Sequence, residues 1–275
     1  MRQIKFMNNQ VKGQNMIFKF RNILYFSISI PVFIILIWLF AVPGSLIQER
    51  IEEAISSGGR GNITASMTGF KKGLFFSVSA ESLDLKMDKV PALKITGLTA
   101  RLDPQYLIKM QFAFEVKGKI GSGEMRGLLK FPSEGEIKIE RAELDEIPYL
   151  GHIGIQSSSY ITADISIKDR DARLAFTIPE LAIEKAAILI PFMDSFHKAQ
   201  GVLSITGDEV KVDSVSLEGE KGYARLKGDI TNRVMNLSLE VMPYMNRLNA
   251  TEAMLIGKFF VSPGYFVIPV KGPLL

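Results

Sequence analysis

The stretch LFFSVSAESLDLKMD, residues 74–88, decides how the rest of the chain is read. Leu74, Phe76, Val78 and Ala80 alternate with Phe75, Ser77 and Ser79, and then Leu83, Leu85 and Met87 alternate with Asp84, Lys86 and Asp88. A period of two is that of a half-buried β-strand, because successive side chains point to opposite faces. The same arithmetic recurs in Leu98, Ala100 and Leu102; in Met110, Phe112, Phe114 and Val116; and in Met125, Gly127, Leu129 and Phe131. It continues through Ile137 and Ile139, Ile161 to Ile167, and Leu174, Phe176 and Ile178. Glycine-, aspartate- and asparagine-bearing stretches separate these runs: 118–123, 133–135, 169–171, 207–209, 219–222 and 231–233. Few helical intervals are long enough for parallel crossovers, so the pattern predicts a mainly β protein with a largely antiparallel meander. Such a sheet, apolar on one face only, has to curl, pack on a second layer or be covered.

Upstream, no residue from Asn22 to Val42 is charged. About 21 residues at roughly 1.5 Å each form a rod of about 32 Å, close to the hydrocarbon thickness of a bilayer. The run exceeds the apolar core of a secretory signal, and Leu39 to Pro43 offer no small-x-small cleavage pair, so residues 22–42 are expected to stay as a single transmembrane helix. Pro31 is tolerable there as a kink, and Tyr25 and Trp38 sit towards the two interfaces. Residues 1–21 carry Arg2, Lys5, Lys12, Lys19 and Arg21 and no acid, which predicts a basic cytoplasmic tail and an exported remainder. Residues 43–58 follow as a short amphipathic stem helix: Ser45 and Gln48 fit a capping box, Ile47, Ile51 and Ile55 share a face, and Gly58 supplies a stop. The Gly58–Gly61 stretch marks the boundary to a β-rich domain over 59–275.

Chemistry-bearing residues are sparse. The chain has 275 residues, a formal charge of +4, no cysteine and two histidines. Five of the positive charges belong to the short tail, so a nucleic-acid partner is not implied. His152 and His197 have no second ligand at metal spacing. Ser157–Ser159 lack a nucleophile elbow, and GSGEMRG (121–127) reads as a hairpin turn. Glu143, Asp145 and Glu146 have nothing to position them as acid and base. The segment 144–151 is expected to hold one helical turn. Residues 181–199 suit a helix broken at Pro191 or two buried strands, and Pro263, Pro269 and Pro273 predict an edge or irregular strand at the end of the chain.

The basic tail and membrane helix, the stem PGSLIQERIEEAI (43–55), GFKKGLFFSVSAESLDLKM (69–87), the late module GVLSITGDEVKVDSVSLEGEKGYARLKGDITN (201–232) and GYFVIPVKGPLL (264–275) together resemble the type II secretion system protein GspN family. The late module is the part most similar to AsmA-like proteins. The resemblance implies a single-pass bacterial inner-membrane protein with a periplasmic, AsmA-like curled β domain and other secretion-system proteins as partners. It carries no active site and no cofactor. Glu49, Arg50, Glu52 and Glu53 on the stem are the candidate partner contacts. Phe112, Phe114, Phe131 and Phe176 either fill a core or line an apolar groove for acyl chains. The leading expectation is a non-enzymatic subunit or scaffold; the alternative is a lipid-handling or envelope-bridging module.

Overall fold

The computed structural model describes residue 25 and residues 29–58, 63–169, 171–185, 192–207 and 209–273. The basic tail 1–21, the start of the 22–42 segment, and most of the Gly58–Gly61 boundary lie outside the described residues. The strands are β1 (Ile63–Thr68), β2 (Lys71–Lys72), β3 (Ser77–Met87), β4 (Val90–Leu102), β5 (Ala113–Ile120), β6 (Gly123–Lys130), β7 (Glu134–Glu143), β8 (Gln156–Ser157) and β9 (Tyr160–Lys168). They continue as β10 (Asp171–Ile178), β11 (Ile183–Lys185), β12 (Phe196–Thr206), β13 (Glu209–Gly219), β14 (Gly222–Thr231), β15 (Val234–Pro243), β16 (Phe260–Ser262) and β17 (Tyr265–Pro273). Apart from the small β8–β11 pair, they form one 15-stranded sheet in nearly sequential order, from β1-β3-β4 through to β15-β17-β16, and each neighbouring pair is antiparallel. This is the meander that the alternation predicts.

The strands start later than the sequence pattern suggests. β3 opens at Ser77, because Phe75 and Phe76 adopt left-handed φ angles of 52° and 55° and turn the chain. β5 opens at Ala113, because Asp103 accepts a 2.9 Å hydrogen bond from the Gln105 backbone N–H and caps a one-turn helix, α2 (Pro104–Leu107). Met110 has a φ of 54°. Leu74, Phe76, Met110 and Phe112 therefore belong to loops, and Phe131 lies just beyond β6. Two connections agree with the sequence: Gly121-Ser122 is the β5–β6 hairpin turn, and 144–152 holds a 3₁₀ turn followed by the short helix α3 (Pro148–His152). In 181–199 the described residues make neither a long helix nor two long strands. β11 is followed, after residues 186–191 outside the description, by a 3₁₀ turn at Met193–Ser195 and the start of β12.

Breaks in the period of two have a structural meaning. The inward phase skips from Ala80 to Leu83, from Ile95 to Leu98 and from Ile139 to Ala142, yet all six residues pack in one cluster. Gly97 (φ 59°) and Arg141 (φ 53°) sit at two of these breaks, and the pairing register shifts between Thr96 and Thr99 and between Ile139 and Ala142. The two register shifts are bulges: one extra residue keeps the same face inward and bends the strand.

Three apolar clusters share Ile147, Ile161, Leu181 and Leu217, so they form one continuous layer along the sheet. The chain covers that layer with its own segments. The stem helix α1 (Gly44–Gly58) contributes Ile51 and Ile55, the 144–155 segment contributes Ile147 and Leu150, and the helix α4 (Ala250–Gly257) contributes Ile256. Each fully buried side chain such as Ile120 or Ile256 contributes about 1.5–3 kcal/mol through removal from water.

The sheet is not closed into a barrel, but it coils. Asp88, in the β3–β4 turn, forms an ion pair with Arg233, in the β14–β15 turn. Eight strand-to-strand steps separate β4 from β14. In a flat sheet such steps alone would hold the two turns at least about 38 Å apart. A twist of about 20–25° per step accumulates to roughly half a turn and swings opposite ends of early and late strands to the same side, and coiling of the sheet closes the remaining gap.

A tight approach limits substitution at Gly222, whose φ is 150° and where a Cβ would sit 2.6 Å from the Met242 carbonyl oxygen and the Pro243 Cα. Gly222→Val is expected to cost roughly 1–3 kcal/mol, read as a lower urea midpoint with an unchanged slope.

Candidate functional site

The apolar N-terminal helix is joined to the sheet by a clamp. Its described part runs from Ser29 to Ala41 with Ile37–Ala41 as a π-helical end, and the chain then bends by 86° into α1. No single helix among the described residues is long and apolar enough to cross a membrane; the bent pair passes together by length and composition. A helix end leaves carbonyls without partners, and these suit a cation. Lys72 of β2 supplies one: its Nζ donates to the carbonyl oxygens of Trp38 (2.6 Å), Leu39 (3.0 Å) and Val42. The Trp38 indole N–H donates to the Gly73 carbonyl oxygen at 2.9 Å, and its ring lies 5.0 Å from that of Phe76. Sequence reading placed Trp38 at an interface but missed Lys72 and Gly73. The available signal was the Lys71-Lys72-Gly73 triplet directly before an apolar Leu-Phe-Phe.

Lys72→Met keeps the stem of the side chain and removes the charge. It is expected to release the helix end, seen as faster amide exchange over residues 38–44 with little change in exchange over β12–β15.

The four stem residues separate into two roles. Glu52 Oε1 accepts from the Met67 backbone N–H at 2.7 Å, and Gln48 Nε2 donates to the Met67 carbonyl oxygen at 2.9 Å. Ser56 Oγ accepts from the Ala65 N–H at 3.1 Å. These side chains satisfy the outer edge of β1, which would otherwise template pairing with another chain. Glu52 is thus occupied within the chain. Glu49, Arg50 and Glu53 face outward, Arg50 and Glu53 as a 2.7 Å surface pair.

Of the four phenylalanines, the structure brings three together. Phe131 donates its backbone N–H to the Phe112 carbonyl oxygen at 2.7 Å, and the Phe114 and Phe131 rings meet edge to face at 5.9 Å. Phe112 and Phe131 are exposed at the ends of the strands, not on the inner face of the sheet. Phe176 lies apart on β10, half-buried over Gly201, where its ring fills the space a side chain would occupy. The adjoining depression of about 340 Å³ is walled by Thr162, Asp164, Gln200, Ser214 and Ser216 together with Ala175 and Val202.

No family model, curated protein or solved structure matches the chain.

The remaining polar groups fasten segments to one another. Ser157 Oγ donates to Ser159 Oγ at 2.8 Å, Ser159 Oγ accepts from the Ala182 N–H at 2.7 Å, and Asp145 accepts from the Ser157 N–H at 3.0 Å. Together they tie the two long connections side by side. Glu252 combines a capping box with Asn249 and a 2.6 Å pair with Lys221; the Lys221 hydrogen bond, then that from the Asn249 N–H, holds its carboxyl below the usual range. Burial pushes Glu240 up, but hydrogen bonds from Lys227 and Tyr265 outweigh it and leave the carboxyl lowered. A carboxyl lowered in the folded state stabilises above its unfolded value, about 4.3, and loses that contribution as pH falls through the folded value. The urea midpoint is therefore expected to drop below about pH 4.3, with a shallower drop in Glu252→Gln.

Proposed function

We propose that the chain is a non-enzymatic, inner-membrane-anchored subunit or scaffold of the type II protein secretion apparatus. In this reading residues 22–42 hold it in a bacterial inner membrane, the basic tail is cytoplasmic and the sheet is periplasmic. The observation that carries it is the clamp: Lys72, Trp38 and Gly73 fix the end of an apolar helix to a sheet whose apolar face is covered by its own segments. Such an object positions surfaces. Anchoring also raises the local concentration of those surfaces near other anchored proteins, so weak contacts are occupied. The resemblance to the GspN family supports the choice of apparatus.

Two surfaces suit protein partners: the outward stem residues Glu49, Arg50 and Glu53, and the last edge of the sheet, where β16 covers only the start of β17 and exposes Phe260 and Val261. The first edge is closed by α1, so strand addition is confined to the last one. The alternative, an AsmA-like lipid groove, draws less support. Phe112 and Phe131 lie outside the inner face, and the depression beside Phe176 is mixed, with Ala175 and Val202 next to Asp164, Gln200 and Ser214.

Photo-crosslinking residues placed in cells at Glu49, Arg50, Glu53 and Val261 test the reading. Adducts with secretion-system proteins, and loss of export on deletion of the chain, are expected. Absence of adducts at all four positions together with unchanged export would overturn it.

A further inference from the structure

We propose that the ends of β3 to β6 beside the clamp form a second membrane contact, a rim of apolar loops and lysines that rests in the headgroup layer of the leaflet from which the N-terminal helix emerges. The proposal rests on the membrane anchorage of that helix.

Three loops lie side by side at this end of the sheet. Residues 73–76 precede β3, whose Ser77 pairs with Arg101 of β4. Residues 103–112 follow β4, whose Leu102 pairs with Phe114 of β5, and residues 131–133 follow β6, whose Lys130 pairs with Ala113. Each loop presents large apolar side chains to solvent: Leu74 and Phe75; Ile108, Met110 and Phe112; and Phe131. Ile108 and Met110 are 87% and 93% exposed, values that water alone does not favour for such residues when they form a contiguous patch.

The composition of the rim identifies its partner. Lys71, Lys109 and Lys130 are interleaved with the apolar residues, and the Lys109 and Lys130 ammonium groups lie 5.5 and 5.6 Å from the Tyr106 ring centroid. Apolar tips with lysines set behind them match an interface where acyl chains give way to phosphates. Position gives the stronger argument. The Trp38 indole is bonded to Gly73, the residue before Leu74, so the rim begins where the apolar helix ends. Phe40, near the end of that helix, is 83% exposed. A protein partner would need its own apolar patch beside the bilayer; the bilayer is already there.

Because the chain has no cysteine, single cysteines report one site each. The full chain is placed in nanodiscs of phosphatidylethanolamine and phosphatidylglycerol, one copy per disc. An environment-sensitive fluorophore is attached at Phe33→Cys in the helix, Phe75→Cys or Phe112→Cys on the rim, or Ser122→Cys at the opposite end of the sheet. Lipids bearing a nitroxide near the headgroup or, in a second sample, midway along the acyl chain to reach residue 33 at the centre of the 22–42 span, are then added. Loss of fluorescence at 33, 75 and 112 but not at 122 is expected, and Met110→Glu should restore emission at 112. Quenching at 33 without quenching at 75 and 112 overturns the rim contact and leaves the anchor standing. Absence of quenching at 33 overturns both. Quenching at 112 that needs two copies per disc assigns the rim to a second copy and overturns the lipid contact.

Discussion

Replacing Val241 with aspartate is expected to abolish the folded C-terminal half of the sheet. Val241 is 0% exposed on β15 and packs among Phe192, Phe196, Leu239, Ile256 and Phe266. A carboxylate there has neither water nor a cation to replace its hydration, and an unpaired buried charge costs several kcal/mol, a large part of a typical total stability of roughly 5–15 kcal/mol. The same substitution at Val234, seven residues earlier on the same strand and 55% exposed, places the charge in solvent and is expected to change stability by about 0.5 kcal/mol or less. Limited proteolysis read by mass checks the pair: Val241→Asp should open cleavage across β12–β17, and Val234→Asp should match the parent. Equal resistance in both would mean that this layer is not the dry core described.

The second large effect concerns the coil. Cysteines at Asp88 and Arg233 are expected to be joined in high yield by a short bis-maleimide within one chain, because the parent side chains form an ion pair. A flat or gently twisted meander would leave these turns at least about 38 Å apart and the yield near background. Asp88→Cys with Lys109→Cys, beyond the far end of β4, is a control for random encounter. The ion pair itself is about half exposed and contributes little stability; its value is as a marker of where the sheet returns on itself.

The strand order was legible from residues 74–178, since alternation plus short turns leaves a meander as the simplest topology. The skipped phases at Ala80–Leu83 and Ile139–Ala142 were also visible, but only the packing, with a register shift at the second, shows that both sides of each skip face the same core. The stem helix was legible; its use of Gln48, Glu52 and Ser56 to close the β1 edge was not, because that depends on a helix lying along a backbone distant in sequence. The misplacement of Leu74, Phe76, Met110 and Phe112 has a physical source. Sequence rules assume polar loops, and here the loops are apolar, so alternation ran on past the true strand ends. If a membrane faces those loops, their apolar character follows from function, which a soluble-protein pattern does not encode. Residues 181–199 stayed ambiguous because an apolar run without a period fits several local structures.

Topology labelling in intact cells tests the anchorage most directly. With Gln10→Cys and Lys271→Cys as single sites, a membrane-impermeant maleimide admitted only to the periplasm is expected to label residue 271 and spare residue 10, on an uncleaved chain that sediments with the inner membrane. Labelling at residue 10 but not 271, or a soluble product that begins beyond Val42, would contradict it.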